Sequence, residues 1–439
     1  HRDLHSSPTR RSSDLRLYDI EIFPNVFHCC CKNTETGNIH KFEISTRKNQ
    51  LNELCELFLQ KDKLFCGYNN KNYDDVIINY IIMYRKIMNN KHVFEVCTSL
   101  FNLSTMIVTA EDRDQEDRFK ELKWGNLFRS MDLLTMLFSS KLRVGLKEMQ
   151  LTMHYPNVQE YEGDFTSYLA TENIDKMIEY NINDVLSTET LLNKLADKGE
   201  IDIRLWVEEE YGFDALSMDG VKFGDKILAT EYCRKTGIPM WKLKETNSPA
   251  DYIDLNEVIL PCISFKNPIL QNLLADMKSQ HHVTTLEKKG YEKKFVLSNV
   301  TYSVGVGGIH SLHTPKIFVP EETEYIGHQD VTSMYPSFII QYHWVPRHLG
   351  EFLYDTYVGI YDNRVSAKHS GQKCKSEALK KALNSATGKM QEPTSWLYDP
   401  LTVFKIRING QLVLLMLVDK LLQLGCKSKI GRASCRERV

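Results

Sequence analysis

At 439 residues the chain is longer than one hydrophobic core usually spans, so two or three domains are expected. Its 42% hydrophobic and 26% charged residues describe an ordinary soluble globular protein, and a net charge of -2 leaves any polyanion partner to a local basic patch. Eleven cysteines without a Cys-x-x-Cys pair exclude zinc sites of that type, and no apolar run approaches membrane-spanning length, which excludes a membrane partner.

The two ends look foreign. Residues 1–15, with Arg10-Arg11-Ser12-Ser13-Asp14-Leu15, and residues 429–439 resemble translated sequencing-adapter DNA, a natural basic tail being the alternative. Three strands are expected at 17–22, 26–31 and 41–44, forming an antiparallel meander. The middle strand contains Cys29, Cys30 and Cys31, which read as buried thiols of a reducing cytosol; without a signal peptide, a cytoplasmic location is expected, the host's if the gene is a phage's. A helix at 50–59, a strand at 64–68, a polar turn at 69–72 and an apolar helix at 76–88 follow, so the first domain is α/β. Apolar stripes predict two helices within 171–195, closing that domain near residue 200. From there to about 300 the pattern is mixed, with a basic turn at 288–294 joining hairpin strands, and the segment 412–418 reads as a core element.

Asp19 and Glu21 stand two apart on a strand, so both side chains leave the same face; two such carboxylates repel unless a cation lies between them. A solvated pair on an edge strand is the competing reading. Asn69-Asn70-Lys71-Asn72-Tyr73-Asp74 places a carboxylate after a tight polar turn, and Tyr180-Asn-Ile-Asn-Asp184 puts a phenol and a carboxylate on one helix face. Tyr180 alone would read as a core aromatic with a surface hydroxyl.

In this order and separation, the three segments resemble the Exo I, Exo II and Exo III motifs of DnaQ-like proofreading exonucleases, whose fold is RNase H-like. Phosphodiester hydrolysis by in-line attack gains from two Mg²⁺ or Mn²⁺ ions roughly 3.5–4 Å apart, held by hard oxygen ligands. The resemblance implies Asp19, Glu21, Asp74 and Asp184 as those ligands and Tyr180 as the residue that orients the attacking water. Asp75 competes with Asp74, which is preferred because it directly follows Tyr73. Asn69 fits the spacing of a residue that contacts the DNA end.

Further on, Asp330-Val-Thr-Ser-Met-Tyr-Pro-Ser337 and Lys380-Lys-Ala-Leu-Asn384-Ser385-Ala-Thr-Gly388 have the spacings of motif A and motif B of family B DNA polymerases. The chain resembles that family, in its compact phage-type form, from about Leu17 to Leu424. By that resemblance Asp330, after an expected strand at 325–329, holds the catalytic metal, Ser333 belongs to the nucleotide site, and Tyr335 is the steric gate against a 2′-hydroxyl. Arg364 and Lys368 are four apart on an expected helix at 354–369, and Lys380 opens a second helix running to about residue 385; together these cations would neutralise a dNTP triphosphate. A solvated basic face is the other reading of Arg364 and Lys368. Asn384 and Gly388 complete motif B, with Thr387 where the family usually has tyrosine. Gly307, Gly308 and His310 resemble the family's DNA-contacting Tyr-x-Gly-Gly region, or form a plain glycine-rich hairpin turn.

Motif C, Tyr-x-Asp-Thr-Asp, has no counterpart before Leu424, so the chain reads as a fragment without the second palm carboxylate or a thumb. The expected architecture is therefore an RNase H-like exonuclease domain at 16–200, a linker and start of the polymerase domain at 201–320, and a partial α+β palm with a short helical fingers segment at 321–428. Expected partners are primer-template DNA, a single-stranded 3′ end, dNTPs and replisome or processivity proteins, with two divalent cations per site. Competing readings are a stand-alone exonuclease with a nucleic-acid-binding extension and a non-catalytic DNA-binding remnant.

Overall fold

The computed structural model describes residues 14–110, 115, 117–123, 125, 127–138, 142, 144–285, 290–312, 322, 331 and 333–426. The protein is mixed α/β and divides into two compact units at Gly220.

In the first unit, β1 (Leu15–Phe23), β2 (Val26–Asn33) and β3 (Ile39–Ile44) form the expected antiparallel meander. Parallel strands β4 (Leu64–Gly67) and β5 (Ser130–Asp132) extend it from the other side of β1, giving the order β3-β2-β1-β4-β5. Strand alternation sorts the side chains between two helical layers. Tyr18, Ile20 and Ile22 of β1 enter a core with α1 (Leu51–Phe58), α2 (Asp74–Met88) and α3 (Val93–Val108). Leu17 and Phe23 face the other way, packing respectively near Val185, Leu191 and Leu192 and near Ile174, Met177 and Ile178. The cysteine trio follows the same rule, with Cys29 and Cys31 in the first core and Cys30 opposite. All described cysteines are unpaired, and burial pushes the Cys31 thiol up to about 12.

Three expectations are corrected here. One helix rather than two spans most of 171–195: after the short α4 (Leu146–Thr152), α5 (Ile174–Asp197) runs without a break, its buried face continuing through 180–184 with Asn181 and Asp184 in place of apolar residues. The unit also continues past residue 200, since Arg204 of α6 (Glu200–Tyr211) is buried and donates to the carbonyls of Met136 and Met218. Finally, Asp14 and Leu15, expected in a foreign tail, belong to the fold: Leu15 opens β1, and Asp14 accepts hydrogen bonds from Arg16, Asn33 and Lys63.

The second unit contains α7 (Gly220–Thr236), a two-stranded sheet of β6 (Tyr252–Ile253) and β7 (Val283–Thr284), and a three-stranded sheet of β8 (Glu292–Leu297), β9 (Val300–Gly305) and β10 (Gly308–Ser311). The hairpin is not at the basic segment 288–294. Instead β8 turns into β9 at Ser298-Asn299, whose φ values of 49° and 62° suit a tight two-residue turn, while β7 pairs with β6. Helices α8 (Met334–Tyr342), α9 (Gly350–His369), α10 (Lys373–Lys389) and α11 (Pro400–Gln423) follow, and the Tyr357 hydroxyl of α9 donates to the Leu383 carbonyl of α10 at 3.1 Å. Segment 412–418 lies in α11. Against expectation, this helix is long and apolar enough to cross a membrane by length and composition. Within the unit, however, Val403, Phe404, Ile406, Ile408, Leu412 and Leu415 are all buried.

Candidate metal centre

One level of the first sheet breaks its apolar pattern. Between Leu17 and Phe23, β1 turns Asp19 and Glu21 towards α5; between Ile178 and Val185, α5 carries Tyr180, Asn181 and Asp184. The hydrophobic contacts above and below hold these polar levels opposite each other. Ligand oxygens of Asp19, Glu21 and Asp184 thus lie within 4.8 Å of one another, and this is the one such group of three among the described residues.

Asp74 enters from a third element. It is buried at the start of α2 and accepts a hydrogen bond from the Ile20 amide at 3.2 Å, beside Asp19 in sequence. Its competitor Asp75 is engaged elsewhere, accepting from the Tyr18 hydroxyl, Asn70 and Ser130 and pairing with Lys71 at 3.4 Å. The geometry therefore leaves Asp74 as the acid of that pair acting on the cluster.

Electrostatics show the strain of gathering these acids. Burial, then the charges of Asp184 and Asp74, raises Glu21 to about 8. Burial and Asp75 raise Asp74 to about 8, against the stabilising bonds from backbone amides. Asp19 is pushed well up by burial, then by Asp74, Glu21 and Asp184. Burial, followed by Asp184, also raises the Tyr180 phenol, which stays protonated.

Several further residues hold these acids in place. Asn181 donates to Asp19 Oδ2 at 2.6 Å, while its carbonyl oxygen meets His28 Nδ1 at 2.8 Å. His28 lies across the strand pair from Glu21 and is kept neutral by burial, with its value lowered to about 4. Asp184 accepts from Lys147 and, at 3.1 Å, from Gln150, both on α4; the Lys147 ammonium also lies 4.5 Å from the centre of the Tyr180 ring. Asn181 was discoverable, because it sits three residues before Asp184 on one helix face. Lys147 and Gln150 were not, being more than thirty residues away on another element.

Asn69 does not offer a free side chain. It adopts left-handed backbone at φ 63°, its amide donates to Asp132 at 2.9 Å and its side-chain oxygen accepts from Asn72 at 2.9 Å, so its evident role is to shape the turn before Asp74. Asp132, buried at the end of β5, organises this turn and caps the helix Leu133–Leu137.

The three clustered carboxylates, with Lys147 paired to Asp184 and Asp74 beside them, bring together hard oxygen donors of the kind that suit a divalent cation. The triad of Asp19, Glu21 and Asp184 could hold one.

In the second unit, Asp330 and the expected strand at 325–329 lie outside the described residues. Ser333 precedes α8 and accepts from Arg364 Nη1 at 3.2 Å, and a Cβ added to Gly410 would sit 3.3 Å from the Tyr335 ring, so that ring packs on α11. Lys368 is exposed at the end of α9. Lys380 does not open a helix but lies in the middle of α10, 3.9 Å from Glu377, with Asn384 and Gly388 exposed further along. Val306 and Gly307 form the turn between β9 and β10, Gly308 opens β10 at φ 137° opposite Gly305, and His310 is exposed on β10. No protein-family model matches this chain and no curated protein aligns with it.

Proposed function

We propose that the first unit is a divalent-cation-dependent 3′–5′ exonuclease of the DnaQ-like class on an RNase H-like fold, and that the chain is part of a family B DNA-directed DNA polymerase. The observation that carries the nuclease reading is the convergence of Asp19, Glu21 and Asp184 within 4.8 Å, with Asp74 entering from α2. An antiparallel meander continued by two parallel strands supports the fold assignment.

A phosphodiester is itself anionic, so these carboxylates would repel it without an intervening cation. Mg²⁺ or Mn²⁺, two in the family's scheme, bound by Asp19, Glu21, Asp74 and Asp184 would supply water activation and stabilisation of the departing 3′ oxygen. The protein's own groups do the rest. Asn181 fixes the Asp19 carboxylate, and Lys147 and Gln150 fix that of Asp184. The Tyr180 hydroxyl stays protonated and so can hold a water by donating to it.

The polymerase reading is supported by the Arg364–Ser333 hydrogen bond, which ties the helix bearing Arg364 and Lys368 to the motif A segment. Asp330, Tyr335, Lys380 and Asn384 would then serve the primer terminus and an incoming dNTP.

Stepwise shortening from the 3′ end of 5′-labelled single-stranded DNA with Mn²⁺ is the test. Loss of this degradation in Asp19→Ala is expected; undiminished degradation by that variant would overturn the nuclease assignment. A primed template with dNTPs tests the other half separately. Because the 439 residues contain no Tyr-x-Asp-Thr-Asp motif, no extension is expected.

A further inference from the structure

His28 lies in β2, with Glu21 of β1 beside it on one side and Glu43 of β3 on the other. Strand alternation turns it to the same side of the sheet as Cys30, towards α5, where both its ring and the Asn181 side chain are sealed from solvent. Glu43 does not serve the ring, since its carboxylate accepts from Arg47 at 3.0 and 2.8 Å and from the Ser45 hydroxyl. The ring's contact is instead with Asn181, whose Oδ1 lies 2.8 Å from Nδ1. The other nitrogen, Nε2, is buried and meets no hydrogen-bond partner among the described residues.

These bonds fix where the ring carries its proton. The Asn181 amino group donates to Asp19 Oδ2 at 2.6 Å, which turns the amide oxygen to His28. That oxygen can only accept, so Nδ1 bears the hydrogen and, in a ring that burial keeps neutral, Nε2 is bare. A bare nitrogen sealed from water costs stability that a leucine of similar size would not. Filling the core does not call for such a group, whereas holding the Asn181 oxygen does. The two ends of an amide are nearly alike in shape, and a half-turn of this one would set its oxygen against the Asp19 carboxylate, acceptor facing acceptor.

We infer that His28 is a positioning residue for the metal centre: its Nδ1–H holds the Asn181 amide with the amino group towards Asp19, and so keeps that carboxylate aimed at the cation. This rests on the reading of Asp19 as a cation ligand of the nuclease above. Orientation passes from strand to ring, from ring to amide and from amide to carboxylate, each through one hydrogen bond or the strand itself. Groups behind a ligand commonly set its geometry and its affinity for metal in this way.

The test reads Mn²⁺ affinity by calorimetric titration, apart from any cleavage. His28→Leu should weaken it by about 10–100-fold. His28→Asn, whose Nδ2 can stand where Nδ1 stood, should recover most of the affinity even though it fills less space and melts lower. Added to Asn181→Leu, His28→Leu should cost nothing further, because it acts through that amide. In the unsubstituted, metal-free chain, nitrogen-15 NMR of the imidazoles, with the His28 signals identified by their loss in His28→Leu or His28→Asn, should place the proton on Nδ1. Unchanged affinity in His28→Leu, no recovery in His28→Asn, additive losses in the double variant or a proton on Nε2 would each overturn the inference. If the unsubstituted chain binds Mn²⁺ but leaves single-stranded DNA intact, the nuclease reading falls, and the titrations still decide what His28 does.

Discussion

The two units solve the problem of gathering charge differently. In the first, Asp19, Glu21, Asp74 and Asp184 come from β1, α2 and α5, and burial forces them together at a real electrostatic cost, visible in the rise of Glu21 and Asp74 to about 8. In the second, Lys368, Lys380 and Asn384 sit on the outer parts of α9 and α10, and the ion pair of Lys380 with Glu377 is local to its own helix at 3.9 Å. Strain that folding would otherwise remove marks the first group as a place where a ligand is expected. Solvated cations near a helix surface carry no such mark.

The contrast can be broken most decisively at Asp19. In Asp19→Ala the rate of single-strand degradation should fall about 10³-fold or more, since several kcal/mol of charge stabilisation leave with the ligand. In EDTA above about pH 8, where Glu21 and Asp74 are ionised, the same variant should be more stable than the unsubstituted chain by about 0.5–2 kcal/mol, because one of the crowded carboxylates has gone. A variant that is both inactive and less stable in EDTA would mean that the acid supports the fold rather than a cation.

Asn181→Leu comes next. Losing the donor that holds Asp19 should weaken Mn²⁺ binding or activity by about 10–100-fold, read by calorimetric titration with Mn²⁺. An unchanged affinity would show that Asp19 needs no such support.

A third measurement follows the protons. Glu21 and Asp74 keep theirs up to about pH 8 in the folded chain, whereas in the unfolded chain they lose them near roughly 4. The folded state therefore binds more protons across that window, and its stability without metal should fall as pH rises from about 5 to about 8, then level off. Thermal melting in EDTA across pH 5–9 checks this, and millimolar Mg²⁺ should flatten the fall by stabilising the ionised acids. Melting that rises through the window would contradict the crowding of acids.

The smallest effect is expected in the second unit. Lys380→Ala should leave single-strand degradation unchanged and shift stability by less than about 1 kcal/mol, as a half-exposed ion pair contributes little. A large loss of nuclease activity there would couple the units functionally and end the contrast.

Much of the first unit was legible because its patterns are local. The meander follows from alternation and from the turn Pro24-Asn25, and α2 from its continuous apolar face after a polar turn. The division of 171–195 into two helices failed because the polar residues 180–184 interrupt the apolar stripe, and only packing against β1 shows that the interruption is a site rather than an end. Placing Lys380 at a helix start failed for the converse reason: Lys373 to Leu379 has no strong cap or apolar signal, and the helix is held by its contacts with α9.

Residue type and spacing alone determined that Asp19 and Glu21 share a strand face and that Tyr180 and Asp184 share a helix face, since periodicity is a property of the backbone. Which of Asp74 and Asp75 turns to the cluster, and which neutral and cationic side chains steady it, was decided only in three dimensions. Hydrogen bonds such as Asn181 to Asp19 and Lys147 to Asp184 join segments whose separation along the chain has no period to read.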